Sequence, residues 1–201
     1  MTKKINIAIL ISGTGSNMQA LVNACNSPNF PANVVLVIAN KPTSVGLAWA
    51  KKQGLNTVLI DSAKFTLKAN SRLAFEQELQ NVLEKFQVEL ICLAGFMRLL
   101  TGWFIEQWPQ KIINIHPSLL PNFKGANAVF DALQAKASLT GCTTHFVVEE
   151  MDAGPIILQK SVPINPSDNL ESLKSKILQQ EHQIYPETVK IVCNKILDKI
   201  K

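Results

Sequence analysis

The chain has 201 residues, 47% apolar and 17% charged, a balance that fits one substantial core and excludes a disordered chain. The net charge of +5 is modest and there is one tyrosine; lysines crowd only at the C-terminal end, so no basic stripe interleaved with aromatics exists and nucleic acid is excluded as an expected partner, while anionic small molecules are not. No apolar run reaches about 18 residues and no cleavage site follows Met1-Thr2-Lys3-Lys4, so neither a membrane partner nor a secretory leader is expected and the location predicted is cytoplasmic.

Ile5 to Ile11 is an apolar run closed by Ser12-Gly13-Thr14-Gly15-Ser16-Asn17, after which Met18 begins a helical pattern. A glycine loop between strand and helix is where backbone N–H groups and the helix dipole hold an anion. Gly13 and Gly15 permit a tight turn, and Ser16 can cap the helix or offer its hydroxyl to a phosphate. The competing reading is a plain glycine turn capped by Ser16. Met18 stands where G-x-G-x-x-G has its third glycine, and the second apolar run, Val34 to Ala39, ends at Asn40 where a dinucleotide site takes an acid. No G-K-[ST] occurs, so a phosphate monoester is the ligand class that survives.

Ala48 to Gln53 reads as helix ended by Gly54, and Thr57 to Ile60 as a short strand. Ser71 to Phe86 carries apolar residues at helical period, and Leu90 to Ala94 is a buried strand followed by Gly95-Phe96-Met97-Arg98. Phe96 to Leu100 can line an apolar slot, although core continuing into a helix is the simpler reading. A helix around Gly102 to Trp108 leads to a strand ending in Asn114-Ile115-His116-Pro117. Thr143 to Val148 and Ile156 to Ile164 are strands whose short connection permits a hairpin but not a crossover, so they are expected to be antiparallel. Asp168-Asn169-Leu170-Glu171 has the form of a capping box opening a long helix, which Pro186 is expected to kink or break. The alternation predicts an α/β fold, a Rossmann-like open twisted sheet, mostly parallel with an antiparallel C-terminal part and helices on both faces. With no repeat and no Gly-, Ser- or Pro-rich linker, residues 1–201 are expected to form a single domain.

Side chains alternate along a strand, so Asn114 and His116 share a face, and Pro117 stops the strand behind them. An amide and an imidazole at a strand's carboxyl end lie where open α/β sheets bind ligands. Asp152, in the turn after the Thr143–Val148 strand, either satisfies turn N–H groups or faces His116 and fixes its tautomer. His145 and His182 are read as structural imidazoles or as supporting groups. Three histidines on separate elements make a weak metal site, so no metal is expected. Cys25, Cys92, Cys142 and Cys193 have no C-x-x-C spacing, and buried free thiols are expected.

The blocks Ile11–Asn17, Leu93–Arg98, Asn114–Pro121, His145–Pro155 and Gln180–Pro186, taken in order, resemble the folate-dependent phosphoribosylglycinamide formyltransferases (GAR transformylases). The resemblance implies transfer of a formyl group from 10-formyltetrahydrofolate, as co-substrate, to glycinamide ribonucleotide in purine biosynthesis. It implies that Gly15, Ser16, Asn17 and Glu181 hold the ribonucleotide. Arg72, Met97, Arg98, Leu99, Leu100 and Asn114, with Val148, Glu149, Glu150, Met151 and Asp152, would surround the folate. Asn114, His116 and Asp152 would be the catalytic set, in a monomer or homodimer. The chain departs from the common pattern at Thr14, Val129 and Leu178. Methionyl-tRNA formyltransferase and formyltetrahydrofolate hydrolase share these motifs but are disfavoured by length. A non-catalytic nucleotide-binding module of the same fold is the rival of another class.

Overall fold

The computed structural model describes residues 3–65 and 71–199. Strands β1 (Ile5–Ile11), β2 (Ala32–Ala39) and β3 (Thr57–Leu59) run parallel outward in one direction, and β4 (Leu90–Leu93) and β5 (Ile112–His116) run parallel in the other. Strands β6 (Leu139–Phe146) and β7 (Ile156–Pro163) then add antiparallel, in the sheet order β3-β2-β1-β4-β5-β6-β7. The strand order therefore reverses at β1, and the crevice beyond the ends of β1 and β4 is the topological switch point where such sheets take ligands.

Alternation along β1 divides it between two cores. Ile5, Ile7, Ile9 and Ile11 pack with Met18 and Leu21 of helix α1 (Ser16–Cys25) and with Leu173, Ile177 and Tyr185 of the long C-terminal helix. Ala8 and Leu10 face the other side, against Phe75, Leu79 and Leu83 of α3 (Ser71–Lys85) and Phe104 of α4 (Gly102–Gln107). A parallel sheet covered on both faces needs such continuously apolar strands, as the apolar runs predict. Ser44 caps α2 (Val45–Lys52) by accepting from the Leu47 N–H, so that helix begins three residues before Ala48.

Several expectations are corrected. Gly15, at φ 71°, takes the N-cap position of α1, so Ser16 is the first helical residue rather than the cap. The box at the start of α6 (Leu170–Asp198) is Asn169 with Ser172, one residue later than expected, because Asp168 turns to Asn165, Ser172 and Lys176 instead. Helix α6 runs through Pro186 without a break. A proline inside a helix costs about 3 kcal/mol; each buried apolar side chain around it, among them Ile184, Tyr185, Val189 and Val192, contributes about 1.5–3 kcal/mol. Helix α5 (Ala128–Gln134) was not foreseen, since seven residues are too few for a periodic signal. Val129 is buried within it, so this departure from the family pattern is core packing. Strand β6 begins at Leu139 and ends at Phe146, which leaves Val148 in the following loop.

Candidate active site

Two adjoining cavities open at the switch point. One, of about 290 Å³, lies over the loop from Ser12 to Asn17. The other, of about 320 Å³, lies over the ends of β4 and β5, and both are bordered by Gly95 and Met97. Ser12 joins their walls: its hydroxyl donates to Asn40 Oδ1 at 2.6 Å and accepts from the Met97 N–H at 2.8 Å.

The smaller cavity lies over the N-terminus of α1. The left-handed Gly15 turns the chain into α1, whose first N–H groups have no side-chain cap. The Gly13 carbonyl is engaged from behind by Ser44 Oγ at 2.9 Å and the Gly46 N–H at 3.0 Å. Asn17, buried at the helix start, donates to Glu181 Oε2 at 2.6 Å, while its own Oδ1 has no protein partner. Glu181 reaches this point from α6, across 164 residues of sequence. Burial pushes its carboxyl above the usual range, and the Asn17 bond offsets only part of that.

In the larger cavity, β5 presents Asn114 and His116 as the alternation predicts. The antiparallel register sets His145 of β6 opposite Asn114, and residues paired in this way share a face. The connection from β6 to β7 folds back over that face and brings Asp152 to the pair. His116 Nδ1 is 3.3 Å from Asp152 Oδ2, and His145 Nε2 is 3.6 Å from Asp152 Oδ1. Asp152 Oδ2 also accepts from the Gly125 N–H at 2.8 Å. The Asp152 backbone is left-handed, at φ 52°, a conformation costing on the order of 1–3 kcal/mol that persists where surroundings enforce it. Burial raises the Asp152 carboxyl, but the bonds from His145 and Gly125 and the neighbouring imidazoles outweigh it and hold the group below the usual carboxylate range.

His116 Nε2 faces the Phe123 carbonyl at 2.9 Å while Nδ1 faces Asp152, so both ring nitrogens meet acceptors. His145 Nδ1 lies 2.9 Å from the Phe146 carbonyl, and its Nε2 stands between the Asn114 amide at 3.2 Å and Asp152 Oδ1 at 3.6 Å. His145 thereby holds the Asn114 amide on the face that β5 and β6 share, at the wall of the cavity. Its position opposite Asn114 is the signal that locates it, and that register is invisible until β5 and β6 are known to pair.

Met97, Arg98, Leu99 and Leu100 line one wall, and Val148, Glu149 and Met151 the opposite one. Both readings of Phe96–Leu100 hold in part: Met97 and Leu99 are exposed at the slot, whereas Phe96 and Leu100 are buried in the core ahead of α4. Arg98 lies over the Phe75 ring at 4.4 Å; desolvation lowers its pKa, Glu76 offsets part of that, and Arg72 adds to the lowering. Two expected residues are not in the lining. Arg72 lies exposed on α3, near enough for its charge to reach Arg98, and Glu150 points to solvent, paired with Lys124 at 3.1 Å. His182 also lies apart, on α6, where burial lowers its pKa. Among the described residues, no group of three His, Cys, Asp or Glu side chains is placed to hold a metal ion. The four cysteines are free; Cys92, Cys142 and Cys193 are buried and Cys25 partly so. No helix among the described residues is long and apolar enough to cross a membrane.

The chain and its fold have counterparts among known proteins. Residues 5–189 match the formyl transferase family model, and the chain belongs to that family. Within it, the chain is similar to the phosphoribosylglycinamide formyltransferase of Haemophilus influenzae, at 40% identity over 92% of this chain and 85% of that protein. A crystal structure of glycinamide ribonucleotide transformylase 1 from Symbiobacterium toebii superposes with a TM-score of 0.91 at 41% identity, covering 96% of this chain and 89% of that one. The trifunctional purine biosynthetic protein adenosine-3 of Gallus gallus is 47% identical over 193 residues; the chain spans 96% of itself but only 19% of that relative. The resemblance read from the ordered motif blocks is borne out at the level of family, and the fold class with it.

Proposed function

We propose that this protein transfers the formyl group of 10-formyltetrahydrofolate to the primary amine of glycinamide ribonucleotide. The observation that carries the reading is the adjacency of the two cavities, an anion cradle and an apolar slot meeting at Gly95 and Met97 beside Asn114, His116 and Asp152. The phosphate sits on Gly15, Ser16 and Asn17, where Glu181 is also at hand for the ribose. The folate ring enters between Met97–Leu100 and Val148–Asp152, with Arg98 and Arg72 supplying positive charge for its carboxylates.

The amine nitrogen attacks the formyl carbon directly, so no enzyme nucleophile is required. The carbonyl oxygen becomes an oxyanion, received by an N–H of the Asn114 amide and by His116 in its protonated form. His116 makes that bond by exchanging the Phe123 carbonyl for the substrate oxygen. Asp152 balances the imidazolium. As the bond from the formyl carbon to N10 breaks, the amine gives up a proton and N10 takes one, with the His116–Asp152 pair placed to carry it. Holding both substrates at adjoining cavities supplies the remaining acceleration through proximity.

The test is to follow the folate product with and without glycinamide ribonucleotide. Formation only with the ribonucleotide supports transfer. Release of formate without it would identify a hydrolase, and ligand binding without turnover a non-catalytic module.

A further inference from the structure

The anion cavity has a wall that the motif blocks do not include. Lys41, just beyond the end of β2, lines the cavity together with the glycine loop, and is the only charged residue among the described residues that do so. The segment that carries Lys41 is fixed on both sides. Asn40 is buried, its side-chain oxygen taken by Ser12 and its carbonyl accepting from the Ser62 N–H at 3.0 Å. The Lys41 carbonyl accepts from the Ser44 N–H at 3.2 Å, and Ser44 and Gly46 then engage the Gly13 carbonyl. These bonds dock the β2–α2 connection against the glycine loop. The Lys41 ammonium has no ion-pair partner among the described residues, and no acidic side chain lines the same cavity.

Charge balance shows what the wall adds. A helix N-terminus presents roughly half a positive charge, whereas a phosphate monoester at neutral pH carries about −1.5 to −2. The buried, unpartnered Asn17 Oδ1 adds an acceptor, not a donor, and Glu181 behind it is a carboxylate. Roughly one negative charge is left without compensation. We infer that Lys41 is a further substrate-binding residue, whose ammonium pairs with the substrate phosphate over the N-terminus of α1 and makes the protein select the phosphorylated substrate. This rests on the proposed function and extends it to a residue outside the expected set.

The experiment compares kcat/KM for glycinamide ribonucleotide with that for the unphosphorylated glycinamide riboside in the wild type, Lys41→Met and Lys41→Arg, with thermal midpoints confirming that each folds. A charge-assisted contact predicts that Lys41→Met raises KM for the ribonucleotide on the order of 10-fold. The preference for the phosphorylated substrate should shrink by the same factor, and Lys41→Arg should restore it. The dependence of that KM on salt should also weaken in Lys41→Met. A preference that survives Lys41→Met overturns the assignment, as does an equal loss in both variants on both substrates. A wild type indifferent to the phosphate would show instead that the glycine loop is not a phosphate site, and the inference would fall with that reading.

Discussion

Replacing Asp152 by asparagine tests the centre of the proposed chemistry because the substitution keeps shape while removing charge. An amide oxygen can still accept from the Gly125 N–H, now at 2.8 Å from Oδ2, so the loop keeps its anchor. What disappears is the partner of the His116 ring. A unit charge pair at the observed 3.3 Å, in a medium of effective dielectric ~20, attracts by about 5 kcal/mol. That figure is a ceiling; the part realised in the transition state, about 3–5 kcal/mol, corresponds to a fall of roughly 10²–10⁴ in kcat. The KM values should change far less, since neither cavity loses a wall.

The same variant carries a pH signature. Asp152 is held below the usual carboxylate range in the folded protein. Its stabilising contribution is therefore complete above the unfolded value, near 3.9, and is lost as pH falls through the lower folded value. Asp152→Asn removes that contribution, so its stability should decline less steeply under acid than the wild type's. At neutral pH the melting temperature should fall by roughly 2–4 °C for each kcal/mol lost in a chain of this size. Steady-state formyl transfer and thermal unfolding from pH 3 to 7 measure both effects. A folded Asp152→Asn protein with kcat within tenfold of wild type would refute the assigned role of the His116–Asp152 pair.

His145→Ala should release the Asn114 amide from its oriented position and lower kcat on the order of 10- to 100-fold, with both KM values nearly unchanged; wild-type turnover would show that Asn114 needs no such support. Glu181 is buried with its carboxyl raised, so the charged form costs stability above the folded value. Glu181→Gln should raise the melting temperature at pH 7, lose that advantage below pH ~4, and weaken ribonucleotide binding, as paired melting curves and KM measurements would show. A lower melting temperature at pH 7 would contradict the burial argument. At Gly141, an added Cβ would stand 2.0 Å from the Lys160 carbonyl oxygen across the β6–β7 pair. Gly141→Ala should accordingly cost more than about 3 kcal/mol in chemical denaturation. An unchanged midpoint would mean that the two strands separate easily.

The parallel half of the fold was legible because its strands are continuous apolar runs and its helices are long enough to show their period. Leu139–Gly141, at the start of β6, was not, since an exposed leucine, a threonine and a glycine form no apolar run, and only pairing with β7 makes them a strand. The site divides along similar lines. Asn114 and His116 could be placed together by alternation, and Gly15 by its position between strand and helix. Asp152 could not be placed by any local rule, because its connection folds back over a sheet face. Glu150 lies between Glu149 and Met151, which do line the cavity, and motif proximity does not say which way a side chain points; Arg72 lies outside the motif blocks, on α3. Lys41 carried no local signal at all, since its place depends on β2 lying beside β1.

The antiparallel addition of β6 gives the Asn114–His116 strand its chemistry. The parallel neighbour β4 supplies the slot and its backbone, but it brings no polar side chain beside Asn114. Reversal places Thr143 opposite His116 and His145 opposite Asn114, so each polar residue of β5 acquires a polar companion on the same face. Thr143 Oγ1 donates to the Ser118 carbonyl at 2.6 Å and accepts from the Leu120 N–H at 3.1 Å, which ties the proline loop behind His116 to β6. His145 meets the amide, and the chain leaving β6 returns with Asp152. One strand direction thus couples the loop that delivers the Gly125 N–H, the ring that sets Asn114 and the carboxylate that faces His116. Disturbing the β5–β6 register should therefore damage all of these contacts at once, before it exposes much of either core.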